Sequence, residues 1–488
     1  MSVFPASTRG VIALFVTLAL LAACSPAAQE SAFQATLPPT QANAPIYTAT
    51  PTLTPTLTLT ATQTPTPTFT LTPTYTPSAT PTATLTPTIT PSPTLTPSLT
   101  PTVPLLTLTP VTMGMMPPAI PVSTAVFSPA EGWSCEDFPC EDDIAGFLQR
   151  IQVPPGFSLS YVGQFPGQPV QITYGPDGRL YATVLENGTR NGAVYALNPD
   201  GSTQRYSGDF ISPMGLAFQP GTDVLYVSGR VTPTQGGGLW RVPPGGGAPE
   251  AVITDLPCCW SLIDNQPNGM VFGPDGYLYL GVGALTDHAE SPNPQHQPFA
   301  DVLPNEAAVL RIQPHTGAFE VYASGIRNPA DVAFTADGRL FATDDGIVAG
   351  EGDRLLALQP GGNYGWPYWR SRGCEDCPVT RPLLDIQPDF VTFAANSTPR
   401  GLVAYTGSQF PANFWDTLFV VLWNGTPEGQ RVVWIDPHDT RLGREDYTPP
   451  PFVTGLIRPA DVTLAPDGAL IIADFIYGHV WRVAYSGG

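Results

Sequence analysis

Short apolar runs alternating with polar residues, and cut by Gly, Pro and Asp-Gly, recur along most of the chain after about residue 128. One unit repeats: PVQITYGPDGRLYAT at 169–183, PMGLAFQPGTDVLYVS at 213–228, NGMVFGPDGYLYLG at 268–281, PADVAFTADGRLFAT at 329–343 and PADVTLAPDGALIIAD at 459–474. A weaker copy, FPANFWDTLFVV, lies at 410–421. Each reads as two strands around a turn in which glycine supplies a positive φ. The turn aspartates 177, 223, 275, 337, 416 and 467 are 46, 52, 62, 79 and 51 residues apart. Such steps hold four short strands plus loops. One sheet of that size cannot bury both faces, whereas six set radially can, so the pattern predicts an all-β, six-bladed β-propeller over residues 128–488. Residues 157–164 and 480–485 are expected to share one blade and so close the ring.

The N-terminal part has a different pattern. Arg9 precedes an apolar run from Val11 to Leu21, too short to span a membrane but suited to a signal peptide. It ends in Leu21-Ala22-Ala23-Cys24, which resembles the lipobox of bacterial lipoproteins. Residues 1–23 are thus expected to be a lipoprotein signal peptide, with Cys24 the lipidated first residue of the mature chain. From about 35 to about 112 the sequence is little more than Thr and Pro. Proline removes amide donors and fixes φ, so residues 24–127 are expected to form a lipidated, disordered Thr/Pro-rich stalk, extended at about 3.1 Å per residue where fully stretched. The expected location is the cell surface of a bacterium, with the membrane contacted through the lipid.

Charge and cysteine content sharpen this picture. Forty acidic against 20 basic residues give a net charge of −20, which disfavours nucleic acid as a partner and is compatible with a bound divalent cation. Beyond Cys24, six cysteines remain, an even set for an oxidising compartment. Cys135 and Cys140 are close enough to pair locally, as are Cys374 and Cys377, while Cys258 and Cys259 are adjacent. Several connectivities stay open.

Two motifs stand out, the Arg327-Asn328 pair directly before a repeat and GGNYGWP at 361–367. With GIRNPADVAF, NGMVFGPDGYLY and the final RPADVTLAPDGALIIAD, they make the chain from Gly156 to Tyr485 resemble the quinoprotein glucose/sorbosone dehydrogenases. That resemblance implies a six-bladed propeller binding pyrroloquinoline quinone (PQQ) and Ca²⁺ on its top face. A sugar of the aldose or sorbosone type would be oxidised and its electrons passed to an acceptor the sequence does not name. It further implies that Arg327 stabilises negative charge developing on the quinone, that Asn328 hydrogen-bonds the cofactor, and that Arg458 faces the quinone carboxylates. The backbone carbonyls of Gly346 and Ile347 match the family's Ca²⁺ ligands. The plainer readings are an ion pair of Arg327 with Asp331 and a solvated loop charge at Arg458.

The chain also departs from the family's pattern. Counting back seven residues from Phe272, the place of the general-base histidine, gives Asn265. An amide cannot accept a proton at neutral pH, so Asp264 beside it is expected to act as surrogate base. Gly352–Leu356 lacks the glutamate that often follows the Ca²⁺ loop, the family's second arginine near the last blade reads as Ala460, and 422–430 offers no counterpart to a cofactor-facing lysine. His288 lies on a long loop, where it is either an exposed side chain or an imidazole at the top face; His296 and His315 carry no role. Two alternatives stay open beside the dehydrogenase: a catalytically silent propeller binding carbohydrate or protein through its top face, and a Ca²⁺-dependent lactonase-type propeller.

Overall fold

Six strands begin with the same three-residue phrase, proline followed by two variable residues: Gln168–Tyr174 (whose proline is Pro169), Leu216–Phe218 (preceded by Pro213), Pro267–Phe272, Pro329–Phe334, Pro399–Ala404 and Pro459–Leu464. Each packs against the next, and the last against the first, so they form a closed cycle. The computed structural model describes residues 135, 138–186, 189–259, 265–287, 302–346, 352–367, 385–424, 429–444 and 446–487. The chain divides into two units, 1–98 and 99–488, and every described residue belongs to the second. The expected signal peptide, Cys24, the stalk and the Cys374/Cys377 pair all lie outside the described residues.

Strands run outward from the cycle as sheets that are antiparallel except at the short Gly362–Asn363 strand. Pro329–Phe334, Leu340–Asp344, Gly352–Leu358 and Val391–Ala395 make one four-stranded sheet, and Pro399–Ala404, Leu418–Leu422, Arg431–Ile435 and Pro451–Thr454 another. A five-stranded sheet starts at Pro267–Phe272 and ends in the short Gly362–Asn363 strand. A nine-stranded sheet holds the first two repeats, joined through Phe210–Ile211. The remaining sheet is completed from both ends of the domain. Phe157–Gln164 pairs antiparallel with His479–Tyr485, from Phe157 opposite Tyr485 to Gln164 opposite His479. The sharing expected from the sequence is present.

Local chemistry explains the turns. In four repeats the turn aspartate's carboxylate accepts from the amide two residues on, as in Asp177 to Arg179 (3.0 Å), or from a neighbouring side chain, and the following Gly178, Gly276, Gly338 and Gly468 adopt φ of 78–87°. Two repeats differ. At the second the positive φ falls on Gly221, before Asp223, and at the fifth on Asp416 itself (58°). The fifth repeat also starts earlier than its weak sequence copy: its first strand is Pro399–Ala404, and Ala412–Phe414 forms a 3-10 turn before Leu418–Leu422.

Helix is nearly absent among the described residues. Ile144–Arg150 is capped by Asp143, which accepts from the Gly146 amide (2.8 Å), and it buries Phe147 against His479 and Trp481. Cys135 is bonded to Cys140 just before it, and Cys258 to Cys259.

Candidate functional site

The proline phrase sets what lies along the axis. Its third residue is Gln171, Gly215, Gly269, Asp331, Gly401 and Asp461 in turn. Each large side chain reaches across to the next inner strand: Gln171 Oε1 accepts from Leu216 N (2.8 Å), Asp331 Oδ2 from Leu402 N (2.8 Å) and Asp461 Oδ2 from Ile172 N (2.7 Å). The glycines make the room, since a Cβ on Gly401 would sit 2.2 Å from Asp461 Oδ1 and one on Gly269 2.4 Å from Asp331 Oδ1. Burial pushes both carboxylates up, and Asp331 pushes Asp461 further; the backbone donors oppose this. These acids tie sheets together. Asp331 is therefore not the partner of Arg327, because its carboxylate is taken by Gln171 Nε2 (2.6 Å) and Leu402 N at the axis.

The second residue of the phrase, Val170, Met214, Asn268, Ala330, Arg400 and Ala460, rings a small axial cavity of about 20 Å³. The residues just before the phrase's proline lie at the same end of the sheets, and they include Asn328 and Arg458. The second strand of each pair also ends there, as shown by Pro329 opposite Asp344 and Pro459 opposite Asp474. The sequence-predicted residues Arg327, Asn328, Asn265, Gly346 and Arg458 thus gather at one end of the domain. Asp264 and Ile347 lie outside the described residues, as do His288 and His296. His315 is exposed on the 313–318 turn.

Arg327 is held in place on two sides. Its Nε lies 2.7 Å from Asp287 Oδ1, and Nη1 donates to the Asp345 carbonyl (3.0 Å), with the Asp345 carboxylate at 3.8 Å. Only 3% of its side chain is exposed. Asn328 is the hub beside it: its Oδ1 accepts from Asn265 N (3.0 Å) and Asn268 Nδ2 (2.8 Å), and its amide donates to Asp344 Oδ1 (2.9 Å). Asn265 is buried at φ 53°, donates weakly to the Arg327 carbonyl (3.5 Å), and keeps a buried Oδ1 without a hydrogen-bond partner. Its amide shapes the Arg327–Asn328 turn and has no proton-accepting function.

Sequence reasoning missed Asp287, which pairs with Arg327 from a loop 40 positions upstream. A clue lay in GGNYGWP. Gly362–Asn363 pairs in parallel with the end of Phe319–Ser324, Tyr364 is fully buried, and Trp366 Nε1 donates to the Asp287 carbonyl (2.8 Å). Arg354 anchors the segment from below, donating to the Tyr364 carbonyl (2.7 Å) while pairing with Asp344 and Asp389. The motif thus serves the fold and also places the carboxylate that faces Arg327.

Near Gly346, the amide donates to Asp353 Oδ1 (2.9 Å), and Asp353 Oδ2 accepts from Thr398 N. Asp353 is pushed well above the usual carboxylate range by burial and by neighbouring Asp345. Two carboxylates beside this backbone turn fit a divalent cation that would relieve their repulsion. Among the described residues no group of three His, Cys, Asp or Glu side chains is placed to hold a metal.

Arg458 donates to Asn424 Oδ1 (2.6 Å) and its own amide to the Asp474 carboxylate (3.2 Å). Burial lowers the guanidinium's pKa, with Arg400 adding to the effect and Asp474 opposing it. Burial pushes Asp474 up to about 6, against the lowering effect of its backbone donors and of Arg458. Arg458 is half-buried and engaged, so the solvated-charge reading does not describe it.

A glucose/sorbosone dehydrogenase family model matches residues 264–475. An uncharacterized protein of Borreliella burgdorferi is 24% identical over 207 residues, covering 37% of this chain and 53% of its own. Quinoprotein glucose dehydrogenase B of Acinetobacter calcoaceticus is 29% identical over 141 residues, 24% of this chain and 28% of its own. The chain therefore spans about half and just over a quarter of these curated relatives' lengths.

Among solved structures, a glucose dehydrogenase-type oxidoreductase of Thermus thermophilus is 20% identical at TM-score 0.50, covering 67% of this chain and 99% of its own. The apo soluble aldose sugar dehydrogenase of Escherichia coli is 15% identical at TM-score 0.52, with the same coverage. A calcium structure of a Trichoderma reesei enzyme from carbohydrate-active family AA12 is 13% identical at 0.53, covering 69% and 97%. At these identities the structural likeness concerns the fold. The resemblance read from RNP, GGNYGWP and the final RP…PDG holds, and it falls on the segment the family model matches.

Proposed function

With glucose/sorbosone dehydrogenase sequence over residues 264–475 as the premise, we propose that the chain is a PQQ-dependent sugar dehydrogenase on a six-bladed propeller, carried at the bacterial cell surface by a lipidated Thr/Pro stalk. The observation that supports this reading is that Arg327, Asn328, Gly346 and Arg458 lie at the same end of the closed strand cycle. The cationic side chains there fit an anionic planar cofactor, and the acidic turn at Gly346 fits Ca²⁺.

PQQ, when bound, supplies a two-electron acceptor for hydride leaving the sugar carbon. Arg327, fixed by Asp287 and Asp345, places a permanent positive charge where negative charge develops. Asn328 orients that arginine and keeps its own turn rigid. The sugar hydroxyl must lose a proton as hydride leaves, and a carboxylate at this end accepts it. Asp264, next to the Asn265 that replaces histidine, is the first candidate, and Asp287 at 2.7 Å from Arg327 is the second.

The buried Asn265 amide favours one competing reading, a propeller that binds the cofactor without turning over. Reconstitution separates the two. Full-length chain supplied with PQQ and Ca²⁺ is expected to reduce a dye with at least one aldose, and EDTA to abolish this. Asp264→Asn should remove turnover and keep PQQ; if Asp287→Asn does so instead, the base is Asp287. PQQ bound with no dye reduction by any aldose would establish the silent propeller.

A further inference from the structure

Asp331 and Asp461 are 5% and 2% exposed, and in the strand cycle Pro399–Ala404 lies between the two strands that carry them. Asp331 reaches the Leu402 amide from one side, and Asp461 Oδ1 would lie 2.2 Å from a Cβ on Gly401. The two carboxylates thus lean on the same two residues. Their oxygens are served unequally. Asp331 accepts from Gln171 Nε2 (2.6 Å) and Val332 N (2.9 Å) at Oδ1, and from Leu402 N (2.8 Å) at Oδ2. Asp461 Oδ2 accepts from Ile172 N (2.7 Å), while its Oδ1 is buried without a hydrogen-bond partner. The water-sized cavity beside them is lined by one cation, Arg400. The other strands packed on Pro459–Leu464 bring Asp474, held by amides at the site end, and Tyr174, near Asp467 and Arg482; Leu418–Leu422 brings no titratable group. Two carboxylates against one guanidinium leave a negative charge unbalanced where water has little access, and such a charge is costly.

We propose that this pair holds one proton at neutral pH, on Asp461 Oδ1, so that the ring of inner strands is closed by a neutral acid and loosens as the pH rises. Burial raises Asp331 to about 7, but its three donors favour the ionised form. Asp461, with one oxygen undonated and Asp331 beside it, is pushed well above the usual carboxylate range and keeps its proton to higher pH. The folded chain therefore binds a proton here that the unfolded chain releases above about pH 4. That contribution to stability is complete below about pH 4 and is lost as pH climbs through the raised folded value.

The test is urea unfolding of the full-length chain at about pH 5, 7 and 9, with infrared spectra at pH 7. Asp461→Asn copies the protonated acid: its carbonyl keeps the Ile172 amide, and its NH₂ stands where the O–H stood. It is expected to match wild type at pH 5 and to be the more stable at pH 9. Relative to the variant, the wild-type unfolding constant should rise at least about tenfold over that range, the limit for one proton being about tenfold per pH unit. Asp331→Asn turns an NH₂ toward groups that donate, and should destabilise the chain at every pH. Wild type should show the carbonyl band of a buried, protonated carboxyl at pH 7, and Asp461→Asn should lose one such band. Parallel pH dependence in wild type and Asp461→Asn, or an unchanged carboxyl band, overturns the proposal. So does the reverse pattern, in which Asp331→Asn is the variant that gains at pH 9. A wild-type spectrum with no protonated-carboxyl band at pH 7 overturns it whether or not the variants fold.

Discussion

Replacing Arg354 by Met tests how the site's framework is held. The substitution keeps an unbranched stem of similar length and deletes the guanidinium. That group pairs with Asp344 through Nε (3.0 Å) and Nη2, and with Asp389 through Nη1 (3.2 Å), and it donates to the Tyr364 carbonyl (2.7 Å). Side-chain exposures of 2%, 1% and 7% for Arg354, Asp344 and Asp389 leave water no access to the charges. Breaking a buried pair by removing one partner costs about 3–5 kcal/mol, and two carboxylates are stranded here, so the upper end applies. With a guanidinium m-value of about 4 kcal/mol/M, the unfolding midpoint should fall by about 1 M. Adding Asp389→Asn should recover about 1–3 kcal/mol, because one of the two stranded charges is gone. A midpoint shift under about 0.2 M, or no recovery in the double variant, would refute the view that this cation neutralises buried acids beneath GGNYGWP.

Other outcomes follow from single contacts. Gly401→Ala places a methyl 2.2 Å from Asp461 Oδ1 and 2.5 Å from Asp461 Cα; thermal unfolding should show a loss of about 3 kcal/mol, and a wild-type melting point would contradict the close axial packing. His479, buried beside Phe147 and Trp481, has its pKa lowered to about 4. Its folded value is below the unfolded one, so its stabilising contribution is present above about pH 6.5 and is lost as pH falls through 4, by about 3 kcal/mol. His479→Phe should lose that acid-side slope relative to wild type in urea melts at pH 7, 5.5 and 4, and parallel slopes would sink the assignment. Trp366→Phe removes the hydrogen bond to the Asp287 carbonyl; PQQ affinity should stay within about twofold while kcat falls about tenfold, since a misplaced charge costs rate before binding. Cys24→Ser should abolish fatty-acid labelling of the chain and release it from the membrane fraction; continued labelling would remove the lipoprotein assignment.

Much of the fold was legible because the repeat carries its own turn chemistry. Asp177-Gly178, Asp275-Gly276, Asp337-Gly338 and Asp467-Gly468 mark strand pairs that the structure contains. The fifth pair was misphased because PRGLVAY has no Asp-Gly after it; a 3-10 turn lengthens the connection instead. At the site, Arg327 and Asn328 stood out because that Arg-Asn pair sits directly before a repeat. Their partners did not, since Asp287 and Asn268 meet them only when neighbouring sheets pack. Arg400 could have been found by aligning the proline phrases, where it is the one charged residue at the second position. GGNYGWP resembled a cofactor motif, yet Tyr364 and Arg354 show it fastening sheet to loop.

The central claim, that Arg327 and its neighbours serve hydride removal from a sugar, is tested most directly without any added dye. Full-length chain loaded with PQQ and Ca²⁺ is mixed anaerobically with excess aldose while the quinone absorbance is recorded. The account predicts stoichiometric loss of the oxidised spectrum within one turnover, slowed at least a hundredfold (about 3 kcal/mol) in Arg327→Gln. A bound quinone whose spectrum no aldose alters, or an Arg327→Gln variant reduced as fast as wild type, would contradict it.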